Sequence, residues 1–291
     1  MKKLMIITDS NSGITQSEAK ELGIHVLSMP FTINDDEFFE EITISQDRFY
    51  ELLEMGAEVT TSQPSEYMLE ELWNNYLKDY EEVLYIPMTS GLSKTCENAK
   101  TYAQKYNGRV VVVDNKRISC NMKESVLEAV AMNSQGKSAN EIKEYLESTR
   151  DKMSVYIMVP ELKYLKRGGR ISPAAAAIGS MLNIKPILSS RGEKFEKYAM
   201  VLSLAQAKKK MIQKVKTEME TEFKEEYEAG KMTISVAHTQ NEKEALKFKE
   251  EIIAAFPKAK FRFVDPLSLS VSCHIGPGAL AITPSINNYL D

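Results

Sequence analysis

Along the first half of the chain, short runs of branched and aromatic residues alternate with stretches whose apolar positions recur every three or four residues. Leu4–Thr8, Val26–Ile33, Val83–Met88 and Arg109–Val113 are of the first kind and predict strands. Val110–Val113 is apolar at every position, as a strand covered on both faces requires. Between these runs the spacing predicts helices opening at Thr15-Gln16-Ser17-Glu18, from Ser45 through Leu53, from the Thr61–Ser65 segment towards Tyr80, and from Ser93 to Tyr106. Thr15 and Glu18 have the spacing of a capping box, in which a hydroxyl and a carboxylate satisfy each other's backbone N–H groups. Helices at Met122–Gln135 and Asn140–Lys152 follow, the second behind the box Ser138-Ala139-Asn140-Glu141, and then a strand at Ser154–Val159.

The texture changes near residue 153. Lys163–Arg170 reads as a basic turn, and Ser172-Pro173 as the cap and first-turn proline of a helix Ala174–Leu182. Ile184–Ser190 and Lys194–Leu202 flank Arg191-Gly192-Glu193 as a hairpin. A helix from Ser203, a strand Met232–Ala237, a helix Asn241–Phe256, a strand Lys260–Val264 and a last run Ala279–Thr283 complete the pattern. The fold class is therefore α/β in two domains, residues 1–152 with βαβ units on a parallel sheet and residues 153–291 with a mixed sheet. In parallel sheets, ligands meet the carboxyl ends of the strands. Three hydroxyl-rich segments fall there: Thr8–Ser12, Thr61–Ser65 and Thr89–Thr95.

The length of 291 residues suits two domains, and a net charge of -4 argues against a nucleic-acid binder, which needs a basic surface. The opening MKKLMIITDS has too short an apolar run for a signal peptide, and no span of about 20 apolar residues follows. A cytoplasmic protein with at most transient membrane contact is expected. Cys96, Cys120 and Cys273 include no CxxC, and His25, His238 and His274 are scattered, so neither a disulfide framework nor a metal site nor another cofactor is expected.

Thr89-Ser90-Gly91-Leu92-Ser93-Lys94-Thr95 has a superficial likeness to a phosphate loop. That loop needs a second glycine ahead of its lysine, and only Gly91 is present. Two readings stay open: Ser93 as a plain helix cap, or Ser93 amid exposed backbone N–H groups at a helix start that favours an anion. Thr61-Ser62-Gln63-Pro64-Ser65 offers the same pair of readings. His274-Ile275-Gly276-Pro277-Gly278 makes a fixed bend that admits close approach, behind an imidazole that either donates to a ligand or is simply structural. The cluster Lys163, Lys166, Arg167 and Arg170 reads either as a solvated face or, with Gly168-Gly169 ahead of Arg170, as a tight turn that presents its guanidinium. Ile178, Met181 and Leu182 line either an apolar cavity or ordinary core.

Taken in order, TDSNSG, TSQPS, TSGLSKT, LKRGGRIS, LNIKPIL and HIGPGA resemble the DegV family of bacterial fatty-acid-binding proteins. The resemblance implies an amino-terminal α/β/α domain with a parallel sheet and a carboxy-terminal α/β domain with a mixed sheet. One long-chain fatty acid would lie between them, its tail in the second domain. Thr61, Ser62, Ser93, His274 and Gly276 would form the carboxylate site. FakB-like members hand the acid to a separate fatty acid kinase for phosphorylation to an acyl phosphate, and Arg170 matches the arginine associated with that exchange. The chain itself would then be a carrier in phospholipid metabolism, without a catalytic residue. Lys94 stands where the family has glycine, Thr89 and Glu66 are further departures, and Ser270-Val271-Ser272-Cys273 precedes His274 instead of a Gly-Thr ending. The rival reading is a small-metabolite enzyme on a fold related to dihydroxyacetone kinases, with His274 or Lys94 as its reactive group.

Overall fold

A computed structural model describes residues 2–177 and 184–289. The chain divides into two compact units, 1–150 with 268–270, and 151–267 with 271–291.

The first unit runs β1 (Lys2–Asp9), a 3-10 turn at Ser10–Ser12, α1 (Gln16–Leu22), β2 (His25–Leu27), β3 (Pro30–Ile33), β4 (Asp36–Phe39), α2 (Gln46–Glu54), β5 (Val59–Thr61), α3 (Glu66–Tyr76), β6 (Tyr80–Ile86), α4 (Thr95–Ala103), β7 (Val110–Val112), α5 (Ser119–Ser134) and α6 (Ala139–Ser148). Strands β2-β1-β6-β7 form a parallel sheet. On one face Met5, Ile7, Val83, Tyr85 and Val112 pack with Leu69 and Trp73 of α3 and Cys96 and Ala99 of α4. Leu4, Ile6, Leu84, Ile86 and Val111 alternate with them and are also buried, and α5 and α6 pack on β1, β6 and β7. Helix on both faces explains why these strands read as continuous apolar runs.

Both capping boxes form, at Thr15 with Glu18 and at Ser138 with Glu141. Other boundaries move. The run Val26–Ile33 is two strands in different sheets, because the chain turns at Ser28-Met29, where Ser28 Oγ donates to the Glu40 carbonyl (2.8 Å) and Met29 N donates to Ser10 Oγ (3.1 Å). Strand β3 then centres a small antiparallel sheet, β4-β3-β5. Its β3–β4 turn is Asn34-Asp35, both at positive φ (47° and 73°), a two-residue hairpin turn. Helix α3 stops at Tyr76, short of Tyr80, because Tyr80 already pairs with Lys2 in the sheet.

The second unit holds β8 (Val155–Met158), α7 (Lys163–Gly168), α8 (Pro173–Ala176), β9 (Lys185–Ser190), β10 (Glu196–Val201), α9 (Leu204–Glu220), α10 (Lys224–Glu228), β11 (Met232–His238), α11 (Glu242–Ala255), β12 (Lys260–Pro266), the end of α12 (Leu269–Ile275) and β13 (Leu280–Ile286). Its six-stranded sheet has the order β10-β9-β8-β13-β11-β12, with only the β11–β12 pair parallel. Met211, Val215, Phe223, Phe248 and Ile252 pack with sheet residues Met158, Ile187, Ile234 and Ile282 in its core. The expected basic turn at 163–170 is helical, and it ends in left-handed Gly169 (φ 69°). Ser172 and Pro173 open α8 as expected, while Ile178, Met181 and Leu182 lie outside the described residues.

Ser268–Ser270 goes with the first unit, although the sequence reading assigned it to 153–291. Leu269 N donates to Glu40 Oε2 (2.9 Å) and Ser270 Oγ donates to Asn11 Oδ1 (2.7 Å).

Candidate functional site

In the first unit, the three hydroxyl-rich segments follow the ends of β1, β5 and β6. The first is a rigid polar knot. Asp9 accepts from Asn11 N (3.0 Å) and Asn11 Nδ2 (2.7 Å) on one oxygen and from Met88 N (2.9 Å) on the other. Burial pushes its carboxyl up to about 6 against those hydrogen bonds. Pro87 lacks an N–H and ends the β6 ladder, so the Asp9 bond to Met88 fixes where the next loop starts.

Thr89 organises that loop. Its N–H donates to the Arg117 carbonyl (2.9 Å), its Oγ1 accepts from Gly91 N (3.2 Å), and its carbonyl accepts from Leu92 N and Ser93 N (3.3 Å each). Arg117 is itself fully buried, with its guanidinium donating to Ser125 Oγ (3.0 Å) and the Thr149 carbonyl (2.9 Å). The exposed N–H groups expected around Ser93 are therefore largely turned inward on Thr89. Ser93 is also not the helix cap. Helix α4 begins at Thr95, and Lys94 occupies the cap position without a side-chain cap bond. Ser93 Oγ instead accepts from Thr95 N (3.2 Å) and shares a hydrogen with Thr95 Oγ1 (2.9 Å). Lys94 is exposed.

Thr61 closes β5 opposite Phe31 and is half-buried, whereas Ser62 is exposed and donates its N–H to the Pro30 carbonyl (3.2 Å). Ser65 is the cap of α3, accepting from Met68 N (3.2 Å). Gln63 Oε1 accepts from Asn98 Nδ2 (2.7 Å) on the first turn of α4, which ties the two hydroxyl-rich segments together. Sequence reasoning passed over both Asn98 and Gln63, because neither has a local signal.

The remaining candidates belong to the second unit. His274 lies in the last turn of α12, a helix the sequence reading did not expect, and packs against Gly168, the end of α7. Burial pushes its imidazole down to about 4, helped by the positive charges of Arg170 and Arg167, so it is neutral at physiological pH. Arg170 is half-buried, and its guanidinium donates to the Gly168 carbonyl. Gly276 (φ 80°) is buried against Tyr164, where a Cβ would stand 2.3 Å from Cδ2. Thr239, missed in the sequence, pins this bend by donating Oγ1 to the Gly276 carbonyl (2.6 Å) and accepting from Gly278 N (2.7 Å) on its own carbonyl. Cys273 is buried and its thiol is pushed up to about 12, so it does not act as a thiolate.

Within the first unit Thr61 and Ser93 offer neutral hydroxyls, and within the second His274 offers a neutral imidazole and Arg170 a guanidinium, each a group able to hydrogen-bond an anion. Among the described residues there is no cluster of His, Cys, Asp and Glu able to hold a metal ion, and no helix long and apolar enough to cross a membrane.

The model of the DegV family, described as uncharacterised, matches residues 3–286. A DegV domain-containing protein of Clostridium perfringens is 31% identical over 97% of each chain. Protein DegV of Bacillus subtilis is 30% identical, covering 96% of this chain and 98% of its own. Among solved structures, a fatty-acid-binding DegV family protein from Thermus thermophilus superposes with a TM-score of 0.85 at 26% identity, covering 98% of this chain and 99% of its own. DegV from Bacillus subtilis, described as a fatty acid binding protein, gives a TM-score of 0.82 at 26% identity, with 99% and 100% covered.

Proposed function

The chain belongs to the DegV family, and on that premise we propose that it binds one long-chain fatty acid and acts as a carrier. The hydroxyls of Thr61, Ser62 and Ser93, with His274 and the Gly276 bend, take the carboxylate. A separate fatty acid kinase then receives the bound acid, with Arg170 serving the exchange. The observation that carries the reading is the chemistry of Ser93 and His274. Ser93 Oγ already accepts a hydrogen bond from Thr95 N, and the imidazole is neutral, so both can donate to a carboxylate without fixing a permanent charge beside it.

Hydroxyl donors reduce the cost of taking a carboxylate out of water, but they do not supply the affinity. That comes from the tail, at about 0.8 kcal/mol per buried CH₂, or on the order of 10 kcal/mol gross for a long chain before the cost of ordering it. Holding the acid this way presents its head group to a kinase at a defined place.

Native mass spectrometry of protein purified from a bacterial host tests the reading. The expected spectrum carries one fatty acid per chain, and the double substitution Thr61→Ala with Ser93→Ala lowers its occupancy while the circular dichroism spectrum stays unchanged. A clean apo mass, with no uptake of added oleic acid, overturns it.

A further inference from the structure

Thr95 was not among the residues that sequence reasoning selected, and it is almost completely buried, with 1% exposure. Among the described residues the hydrogen bond of its hydroxyl is to Ser93 Oγ, at 2.9 Å. Its backbone N–H reaches the same oxygen at 3.2 Å. A buried hydroxyl proton left without an acceptor forfeits its hydration with nothing in return. The Thr95 proton is therefore directed at Ser93 Oγ, and the opposite orientation would strand it. A hydroxyl oxygen has two acceptor positions and one proton. With both positions of Ser93 Oγ filled from Thr95, its own proton must point elsewhere, and Ser93 is half-buried, not sealed in the core.

We infer that Thr95 is a positioning residue that fixes Ser93 as an outgoing hydrogen-bond donor and so selects an acceptor head group, an ionised carboxylate, at that position. The inference rests on the fatty-acid reading and deepens it. Thr95 acts through Ser93 in two ways, by occupying the lone pairs that would otherwise receive a donor, and by polarising the Ser93 O–H bond, since hydrogen bonds in series strengthen one another. A head group that could only donate, such as an ammonium, would find no acceptor there. Helix α4 contributes rigidity, because Thr95 is its first residue and Asn98 N closes the first turn on the Lys94 carbonyl (3.0 Å).

The test is a double-mutant cycle read by fluorescence titration with cis-parinaric acid, an intrinsically fluorescent 18-carbon acid. Thr95→Val removes the hydroxyl and keeps the shape, and should weaken binding about three- to tenfold, the usual net effect of one lost hydrogen bond between neutral groups. Thr95→Ser should restore wild-type affinity to within about twofold, because it returns the hydroxyl. In a Ser93→Ala background Thr95→Val should have no further effect, a full coupling between the two positions that a general structural role for Thr95 would not produce. Where Thr95→Val does not fold, Thr95→Ala removes the same hydroxyl and takes its place in the cycle. Wild-type affinity in Thr95→Val, failure of Thr95→Ser to restore binding, or an equal loss with and without Ser93 overturns the inference and leaves the fatty-acid reading standing. A wild-type protein that does not take up the probe overturns both.

Discussion

Gly168 lies so close to the imidazole of His274 that a Cβ built on it would stand 2.2 Å from Nδ1. No side chain fits that space, so the contact between the end of α7 and the last turn of α12 depends on the bare backbone at 168. Burial leads the causes that hold His274 neutral.

Gly168→Ala should therefore displace the ring rather than be absorbed. Overpacking of this kind costs about 1–3 kcal/mol and should appear as a lower melting temperature. A displaced, better hydrated imidazole titrates closer to its ordinary value, so the His274 midpoint followed by NMR should rise from about 4 towards 6.5. An alanine variant whose His274 midpoint is unchanged would show that Gly168 does not set the environment of the ring.

The buried imidazole also predicts a pH dependence of stability. His274 binds its proton more weakly in the folded state, about 4, than in the unfolded chain, at 6.5. The unfolded state therefore holds more protons in that interval, and the stabilisation present above pH 6.5 is lost as pH falls towards 4. The shift corresponds at most to roughly 3 kcal/mol. Denaturant titrations of the wild type and His274→Gln should run parallel above pH 7, with the wild type losing stability relative to the variant between pH 6.5 and 4. Curves that stay parallel through that window would mean that His274 is hydrated in the folded protein.

What the sequence made legible was local. The Thr15–Glu18 and Ser138–Glu141 boxes are read within one helical turn, and both form. The hairpin across Arg191–Glu193 is equally local, and β9 and β10 pair as expected. What escaped depends on partners far along the chain. Val26–Ile33 looks like one strand until Ser28 finds Glu40 and Met29 finds Ser10. Leu269–Ile275 carries no strong helical pattern, because its opening residues answer to Glu40 and Asn11 at the other end of the chain. The candidate residues were found by their motifs, while the groups that hold them were not. Thr239 pins Gly276 from 37 positions away, and Gln63 meets Asn98 from 35. Thr95 was within reach of local reasoning, but placing the helix start at Ser93 hid its role. The Asn34-Asp35 turn is a local signal for the β3–β4 hairpin, masked in the sequence by the apolar run Val26–Ile33 that precedes it.

Glu40 reverses the pH argument in the first unit. Its carboxylate is buried and accepts from Leu269 N (2.9 Å) and Gln46 Nε2 (3.3 Å). Burial pushes its carboxyl up to about 7 against those bonds, with a smaller contribution from the neighbouring charge of Glu41. A carboxyl whose folded value lies above its unfolded value of 4.5 contributes stability fully present below pH 4.5 and lost as pH rises through about 7. Glu40→Gln keeps an oxygen for the Leu269 amide and removes the ionisation. At pH 5 the variant should lie within about 1 kcal/mol of the wild type. At pH 8 it should be the more stable, by up to roughly 3 kcal/mol. Chemical denaturation of both proteins at the two pH values measures this directly, and an equal difference at pH 5 and pH 8 would show that Glu40 ionises in the folded protein much as it does in the unfolded chain.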